Sequence, residues 1–372
     1  MPLGADAMPV IYSQGYVLFV RDGTLMAQPF DLSRRELRGE PVPVAEQVEI
    51  TGGPSPFNAV FSVSDDGVLS YRNGAALTRT ELTWFDRQGK RLAIVGDGAD
   101  YGDLELSPDG NRLAVSVGDV AAGRDLWIYD VIRQLRTRFT FGGGTEGSPV
   151  WSPDATFIAF SSNVEGDENI YQKSSTGTGR EELLVRANNV QRPVSWSAGG
   201  DLVYESAEGG VPQLLALPLI GDRKAVPVLG FPTLQGQPQG KISPDGRWIT
   251  YMSAESGRPE VYVATFPKGD GKWQVSTSGG QQPRWRRDGK EIFFRNLASN
   301  ALMSAEVSGD ATGFRVGLVR SLFPALLRPN RGSGYDVSPD GQRFIVNVIP
   351  HESGAPITVN TNWRAAFAGT SN

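Results

Sequence analysis

The 372-residue chain contains no cysteine and a single histidine, His351. The absence of cysteine excludes disulfides and thiolate metal sites. One histidine cannot form a multi-histidine metal site, and a catalytic triad around it would need neighbours that the chain does not contain. Because His351 lies in a stretch rich in Pro, Ser and Gly, we predict an ordinary exposed side chain there. The sequence therefore predicts neither a metal site nor a cofactor.

The sequence also lacks basic clusters and long apolar runs. Lys and Arg are scattered and the net charge is -5, so nucleic acid is not an expected partner. The longest apolar stretches, such as residues 213–220, fall far short of the ~18 to 20 residues that a membrane helix needs. Residues 1–10 have no Lys or Arg ahead of an apolar run, so we expect no secretory signal. We predict that this chain does not itself insert into a membrane.

A four-residue motif, Ser-Pro-Asp-Gly, is repeated in the chain. It occurs at residues 107–110, 243–246 and 338–341, each time between two strand-like apolar runs. Pro presets φ, Asp tolerates the bridge region of the backbone map, and Gly takes a positive φ without steric cost. A type I turn followed by a left-handed residue requires these properties. Each copy therefore predicts the loop of a β-hairpin.

Degenerate copies of the turn extend this repeat along most of the chain. The last residues of the turns are 43 to 52 residues apart, and they are Gly15, Gly67, Gly110, Ala155, Gly200, Gly246, Gly289 and Gly341. Four short strands fit between successive turns, and amphipathic helix patterns are scarce, which is typical of propeller blades. The sequence predicts an all-β fold, a single β-propeller over residues 1–372 with eight blades as first choice and seven as second. We expect strands around residues 16–20 and 344–348 to lie in neighbouring or shared blades, because an open ring leaves unpaired edges.

These units resemble those of the TolB-type propeller family. Longer stretches are similar to the C-terminal region of bacterial membrane-anchored serine/threonine kinases of the eukaryotic-like type, at residues 16–31, 39–46, 272–294, 335–347 and 356–363. The resemblance implies a sensor or scaffold module, extracytoplasmic if it belongs to such a kinase and cytoplasmic if it is expressed as written. The chain has no glycine-rich loop before a Val-Ala-Ile-Lys strand, no His-Arg-Asp loop and no Asp-Phe-Gly. Kinase activity is therefore not expected.

Other patterns that could carry chemistry are better explained as structure. No Gly-x-Ser-x-Gly elbow occurs, so a peptidase is not expected. The glycine-rich residues 142–147 precede a strand rather than a helix, which predicts a connection between blades rather than a phosphate site. A calcium site is the less favoured interpretation of a nearby acidic cluster, because its members lack the ordered ligand positions of a calcium loop. That cluster consists of Asp97, Asp100, Asp103 and Glu105.

The tryptophans invite a carbohydrate-binding interpretation, since flat rings stack on sugars. Trp151, Trp196 and Trp285, however, hold the same place just before a repeated turn. Trp84 and Trp127 fall on predicted third strands. Repeated placement is what packing between blades requires. We therefore favour core positions for these rings.

The candidate binding site is the channel mouth. The first strand of each propeller blade lines the axis, so residues just before it gather at one opening. These residues are amides, two arginines and a glutamate, with aromatic rings beside them: Tyr101, Glu146, Gln191, Arg192, Gln237, Gln239, Gln281, Gln282, Arg284 and Tyr335. The alternative that these ten side chains are solvated loop residues beside a water-filled pore stays open.

Two functions follow from this mouth. The favoured one is a non-catalytic propeller that binds a protein or a small acidic ligand. In this function Arg192 and Arg284 bind a carboxylate of the ligand. A buried carboxylate partner would instead make these arginines structural. The alternative is a lyase or hydrolase with its active site at the mouth, which would need an acid-base pair with shifted pKa values.

Overall fold

The structure is a computed structural model that describes residues 7–21, 23–51, 58–72, 79–119, 123–207, 210–230, 238–325, 327, 333–350 and 357–366. The chain divides into two compact units. The first comprises Met1–Arg79 and Pro350–Asn372, and the second comprises Thr80–Ile349. The single propeller over residues 1–372 that the turn spacing predicts stays a prediction.

The described residues are almost entirely β-structure, which confirms the predicted fold class. The strands in chain order are β1 (Ala7–Ser13), β2 (Tyr16–Arg21), β3 (Thr24–Asp31), β4 (Glu36–Leu37), β5 (Val42–Ala45), β6 (Ile50–Thr51), β7 (Asn58–Ala59), β8 (Phe61–Val63), β9 (Leu69–Arg72), β10 (Thr80–Asp86), β11 (Arg91–Leu106), β12 (Arg112–Asp119), β13 (Gly123–Asp130), β14 (Leu135–Arg138), β15 (Glu146–Trp151), β16 (Phe157–Ser162), β17 (Asn169–Ser174), β18 (Glu182–Val185), β19 (Gln191–Trp196), β20 (Asp201–Ser206), β21 (Gln213–Pro218), β22 (Val226–Gly230), β23 (Lys241–Ile242), β24 (Trp248–Ser253), β25 (Glu260–Thr265), β26 (Trp273–Gln274), β27 (Gln281–Trp285), β28 (Glu291–Asn296), β29 (Ala301–Asp310), β30 (Gly313–Pro324), β31 (Tyr335–Val337), β32 (Arg343–Val348) and β33 (Ile357–Asn360). A 3-10 helix, Trp363–Ala366, follows β33. No helix within the described ranges is long and apolar enough to cross a membrane.

The first unit contains two sheets. One has the strand order β4, β3, β2, β1, β7, β6, with β5 also pairing with β3, and the other has the order β33, β9, β8. Leu18, Leu25 and Trp363 are fully buried in its core. The buried Glu49 carboxylate is 3.1 Å from the Arg72 guanidinium, so its charge is compensated.

The second unit contains six four-stranded sheets. The long strand β11 contributes to two of them, because residues 91–99 pair with β10 and residues 100–106 pair with β12. We number the sheets along the chain: sheet 1 (β31, β32, β10 and residues 91–99), sheet 2 (residues 100–106, β12, β13, β14), sheet 3 (β15–β18), sheet 4 (β19–β22), sheet 5 (β23–β26) and sheet 6 (β27–β30).

The first strands of these six sheets form a closed ring. They contact one another in the order β11, β15, β19, β23, β27 and β31, and β31 contacts β11 again. The Leu106 N–H donates to Asp336 Oδ2 at 2.7 Å, and the Leu104 N–H donates to the Ser333 carbonyl at 3.3 Å. Inner strands of the sheets are covered on both faces, and β24 and β28 are buried at every residue. The unit is therefore a propeller whose first strands surround a central axis.

The repeated turn joins the first and second strands of every sheet, which confirms its prediction. Its last residue has a positive φ, from +58° to +91°, and its N–H donates to the carbonyl three residues earlier at 2.8 to 3.0 Å. In four copies the turn serine also donates to the turn aspartate, as Ser243 Oγ does to Asp245 Oδ1 at 2.6 Å. The six turn ends are Gly110, Ala155, Gly200, Gly246, Gly289 and Gly341.

The predicted blade count and ring closure are not confirmed. The ring of the second unit closes with six sheets rather than eight, because β10 pairs with β32 and supplies sheet 1 with its third strand. The strands expected to close the ring, around residues 16–20, belong to the first unit, where β2 pairs with β1 and β3. The turns that end at Gly15 and Gly67 also lie in the first unit. The ring of the second unit therefore closes without residues 16–20, and their place in a neighbouring blade stays a prediction.

Candidate functional site

A repeated break in the first strands shapes the channel. The pairing of the first and second strands shifts register in sheets 2, 3, 4 and 6. At the breaks in sheets 3 and 6, Ser148 and Gln282 have φ values of +49° and +55°, and Gln239, which precedes β23 in sheet 5, has a φ of +51°. Such bulges bend a strand and redirect its side chains. Here they turn polar side chains towards the axis of the second unit.

The channel contains a small cavity, which we call the axial cavity. Its volume is about 60 Å³, and residues from the start of all six sheets line it. The polar lining residues are Asp103, Glu105, Ser148, Arg192, Glu205, Gln239, Lys241, Gln282, Ser333 and Arg284. Because burying an unpaired charge is costly, most of these charged side chains must be paired with an opposite charge.

A charged layer closes the channel below the axial cavity. It consists of the residues five positions before each turn end, namely Glu105, Val150, Ser195, Lys241, Arg284 and Asp336. Lys241 Nζ forms an ion pair with Glu105 across the axis, since β11 and β23 lie opposite each other in the ring. Arg284 Nε lies 3.3 Å from Asp336 Oδ1. Because Glu105, Lys241 and Arg284 line cavities on both sides, this layer separates two openings.

Burial shifts the pKa values of several groups along the axis. It raises the pKa of Asp103 and of Glu105 and lowers the pKa of the Lys241 ammonium. For Glu105 and Lys241 the opposite charge of the partner counteracts this desolvation. Burial also raises the pKa of Glu205 to about 7, although the Gln239 N–H donates to its carboxylate. Glu205 therefore titrates near neutral pH.

Arg192 is held by a bidentate ion pair above the charged layer. Its Nε donates to Glu168 Oε1 at 2.8 Å, and its terminal nitrogen donates to Glu168 Oε2 at 2.7 Å. Glu205 Oε1 accepts from the Gln239 N–H at 2.6 Å.

The opposite opening lies on the side of the repeated turns, and we call it the turn-side mouth. Its volume is about 230 Å³, and the charged layer forms its floor. Its rim comprises four prolines of the turns and three tryptophans, namely Pro108, Pro153, Pro244, Pro339, Trp151, Trp196 and Trp285.

Two of these tryptophans connect neighbouring sheets. The Trp151 indole N–H donates to the Glu105 carbonyl at 3.0 Å, and the Trp285 indole N–H donates to the Lys241 carbonyl at 2.9 Å. Trp151 is also buried. These contacts confirm the predicted packing role of Trp151 and Trp285.

The structure brings together four of the ten predicted mouth residues. Arg192, Gln239, Gln282 and Arg284 line the axial cavity. Gln237 lies outside the described residues, as does His351. The remaining five are held away from this cavity.

Those five residues have contacts of their own. The Tyr101 and Tyr129 hydroxyls are 3.1 Å apart, and the Tyr335 hydroxyl donates to the Gln282 carbonyl at 2.7 Å. The buried Glu146 carboxylate accepts hydrogen bonds from the Thr140 hydroxyl at 3.2 Å and from the Ser162 hydroxyl at 2.9 Å. The buried Gln191 amide donates to the Ser206 hydroxyl at 3.1 Å. Gln281 lies in β27 opposite Arg295.

Sequence reasoning missed the residues that carry most of the charge. Glu105, Lys241 and Asp336 share one position in the repeat with Arg284, so aligning the six turns would reveal a charged layer. Glu205 has no such signal, because it lies on the second strand β20 and reaches the channel only through packing of sheet 4 against Gln239.

The four carboxylates considered for calcium are separated along β11. Asp97 lies 3.9 Å from Arg136, and Asp100 accepts from Arg124 at 2.7 Å. Glu105 pairs with Lys241, and Asp103 Oδ2 accepts from Ser148. Within the described ranges, no group of three or more His, Asp or Glu side chains could hold a metal ion. Of the glycine-rich residues 142–147, residues 142–145 lie between β14 and β15 and the last two begin β15, which confirms their prediction as a connection between sheets.

Comparisons with known proteins establish the fold. No family model matches the chain. A TolB structure from Agrobacterium tumefaciens is similar at 22% identity and a TM-score of 0.57, covering 72% of this chain and 97% of that one. TolB from Acinetobacter baumannii is similar at 15% identity and a TM-score of 0.51, covering 89% of this chain and 78% of that one. The chain therefore has a TolB-like β-propeller fold.

A sequence relative covers only part of the chain. The chain is 31% identical to the Bacillus subtilis protein described as uncharacterized peptidase YuxL over 114 residues, which is 29% of the chain. The match spans 17% of the length of that relative.

Proposed function

We propose that the protein is a non-catalytic propeller that binds a protein partner at the turn-side mouth. The observation that carries this proposal is the rim of that mouth, where Pro108, Pro153 and Pro339 surround a depression of about 230 Å³. Proline side chains lose almost no rotamer entropy on binding. Tryptophan is enriched among residues that dominate binding energy, and Trp196 and Trp285 line the same depression, partly exposed. The rim is therefore rigid and apolar.

The floor of the mouth supports binding rather than passage. The Glu105–Lys241 ion pair spans the axis, and the axial cavity beyond it, at about 60 Å³, has room for only a few water molecules. A segment that enters from the turn side stops at this charged layer. The mouth thus suits a loop tip or a side chain of a partner.

The pairing of the two arginines favours a protein over a small acidic ligand. Arg192 already binds the Glu168 carboxylate in a bidentate manner. Arg284 is buried beside Asp336. Binding of a free carboxylate by either arginine would break one of these pairs. This costs more free energy than binding the same carboxylate to an exposed, unpaired cation. On the sequence resemblance of stretches such as residues 272–294 to kinase-associated propellers, we propose a sensor or scaffold role for this interaction.

A capture experiment with charge introduced at the rim tests the proposal. An extract of the source cells is passed over the immobilised full chain and over Pro153→Glu/Pro339→Glu, in which carboxylates interrupt the apolar rim. We expect a protein to be retained by the wild type and lost from the variant. Ile132→Glu/Leu135→Glu, at two exposed apolar positions of sheet 2, is the matched control. Equal retention by wild type and rim variant would refute binding at this mouth.

One observation favours a second candidate, a lyase or hydrolase that uses the axial cavity. Burial raises the pKa of Glu205 to about 7, and Glu205 lines this cavity. A group with this pKa is suited to act as a general base near neutral pH. Turnover of a bound molecule that rises through pH 7 and disappears in Glu205→Gln would favour the enzyme over the binding module.

A further inference from the structure

We propose that a groove between sheets 5 and 6 binds an acidic peptide segment. The groove is distinct from the axial cavity and continues from the turn-side mouth, with which it shares Trp285 and Arg287. Its volume is about 860 Å³, larger than either channel opening. This size lies within the range of sites that hold several side chains of a ligand.

Aromatic rings form one surface of the groove. The Phe314 ring centroid lies 5.1 Å from that of Trp248 and 6.1 Å from that of Trp285. All three residues line the groove. Trp248 and Phe314 are buried, so the partly exposed Trp285 is the ring of this surface that can accept an apolar side chain without losing much conformational freedom.

The wall of the groove that carries Phe314 is an enlarged part of sheet 6. Its outer hairpin is built from β29 and β30, of 10 and 12 residues, whereas the corresponding strands of sheet 5 have 6 and 2 residues. Gly309 of this hairpin packs against Trp248, since a Cβ there would lie 2.6 Å from the indole nitrogen. In repeat proteins, an enlarged unit often marks the binding face. The hairpin therefore deepens the groove at one place in the ring.

The groove carries more positive than negative charge, although the chain has a net charge of -5. Its lining includes six cations and four carboxylates, namely Arg87, Arg247, Arg286, Arg287, Lys290 and Arg320 against Asp245, Asp288, Glu291 and Glu306. Each carboxylate is bound by an arginine of the same groove.

Two exposed cations form no ion pair within the part of the chain that the structure describes, although the charge of one of them, Lys290, acts on the nearby Asp288 carboxylate. They are Arg287 and Lys290, on the turn between β27 and β28. The Arg287 guanidinium donates to the Pro108 carbonyl, which orients the group but does not neutralise its charge. The ligand that complements two such cations beside an aromatic surface is a peptide with acidic residues and an apolar or aromatic side chain.

Selection from a random peptide library displayed on phage, with the full chain as target, tests this assignment. We expect enriched peptides that combine Asp or Glu with Phe, Trp or Leu. Synthesised with a fluorescent label, they should bind Arg287→Glu/Lys290→Glu about tenfold or more weakly than the wild type, because two attractive charges become repulsive. Affinity should also fall as salt is added.

Matched variants separate this site from the turn-side mouth. Arg180→Glu/Lys224→Glu reverses two exposed cations on other sheets and should leave peptide affinity unchanged. Pro153→Glu/Pro339→Glu should also leave it unchanged, and loss of binding there would place the peptides at the mouth and overturn the groove. Absence of acidic enrichment, or equal affinity for Arg287→Glu/Lys290→Glu, would overturn the proposal. Full competition by millimolar inorganic phosphate would reassign the two cations to a small anion.

Discussion

Replacement of Lys241 by Met should lower the free energy of unfolding of the second unit by about 3 to 5 kcal/mol. Lys241 forms the ion pair with Glu105 across the channel, and both side chains are largely buried. The variant leaves the Glu105 carboxylate buried without its counter-charge, a situation that costs far more than loss of an exposed pair. Urea unfolding followed by tryptophan fluorescence measures the change.

The pH dependence of this variant identifies the cause. Burial raises the pKa of Glu105 above that of the unfolded chain, so ionisation of the folded state costs stability as pH rises through the unfolded value near ~4.3. Loss of Lys241 enlarges this effect, and the variant should be closer to wild type at about pH 5 than at about pH 8. Glu105→Gln/Lys241→Met should recover most of the lost stability. Arg186→Met, which breaks an exposed pair with Glu165, should cost at most about 1 kcal/mol. A loss in Lys241→Met no larger than in Arg186→Met would contradict the closed channel.

Asp336→Ala should destabilise the second unit by about 3 to 5 kcal/mol, because one carboxylate serves two neighbouring strands. Its Oδ2 accepts from the Leu106 N–H at 2.7 Å, which joins β31 to β11. Its Oδ1 lies 3.3 Å from Arg284 Nε, which joins β31 to β27. Alanine leaves a buried N–H and a buried guanidinium without these partners. Thermal and urea unfolding of purified variants measure the loss.

Two further variants separate the contribution of the Leu106 hydrogen bond from that of the Arg284 ion pair. Asp336→Asn keeps an oxygen for the Leu106 N–H but removes the charge opposite Arg284, so we expect an intermediate loss. Arg284→Met/Asp336→Asn removes both charges and should be more stable than Asp336→Ala. If Asp336→Ala unfolds like the wild type, Arg284 is free to bind a ligand and the structural role of this pair is wrong.

The turn chemistry made the local fold predictable from the sequence. Ser, Pro, Asp and Gly specify the hairpin loop through φ preferences and a side-chain hydrogen bond, as at residues 243–246. The number of sheets in the ring was not predictable in this way. The turn ending at Gly67 obeys the same local rule although it lies in the first unit, since its N–H donates to the Ser64 carbonyl at 3.1 Å, whereas Gln14 and Gly15 form a two-residue turn in which both φ values are positive. Closure depends on pairing between β10 and β32, which are more than 250 residues apart and share no local signal.

The channel site was predictable only in part, for a related reason. Arg192, Gln239, Gln282 and Arg284 follow from the rule that first strands line the axis. The bulges at the start of these strands decide which neighbouring side chains turn inwards, and they exclude Tyr101. Partners such as Asp336 and Glu168 come from other sheets or loops, so the pairing of the arginines depends on tertiary packing.

A designed disulfide tests the closed six-sheet ring most directly, because the chain has no cysteine of its own. Glu81 and Val348 are opposite each other in the β10–β32 pairing, and opposed residues in antiparallel strands are close enough for a disulfide. Glu81→Cys/Val348→Cys is oxidised under mild conditions, digested and examined by mass spectrometry, with Val226→Cys/Val348→Cys, whose residues lie in sheets 4 and 1, as the control. The six-sheet ring predicts an intramolecular link between residues 81 and 348 and none in the control. Free thiols at residues 81 and 348 would contradict it.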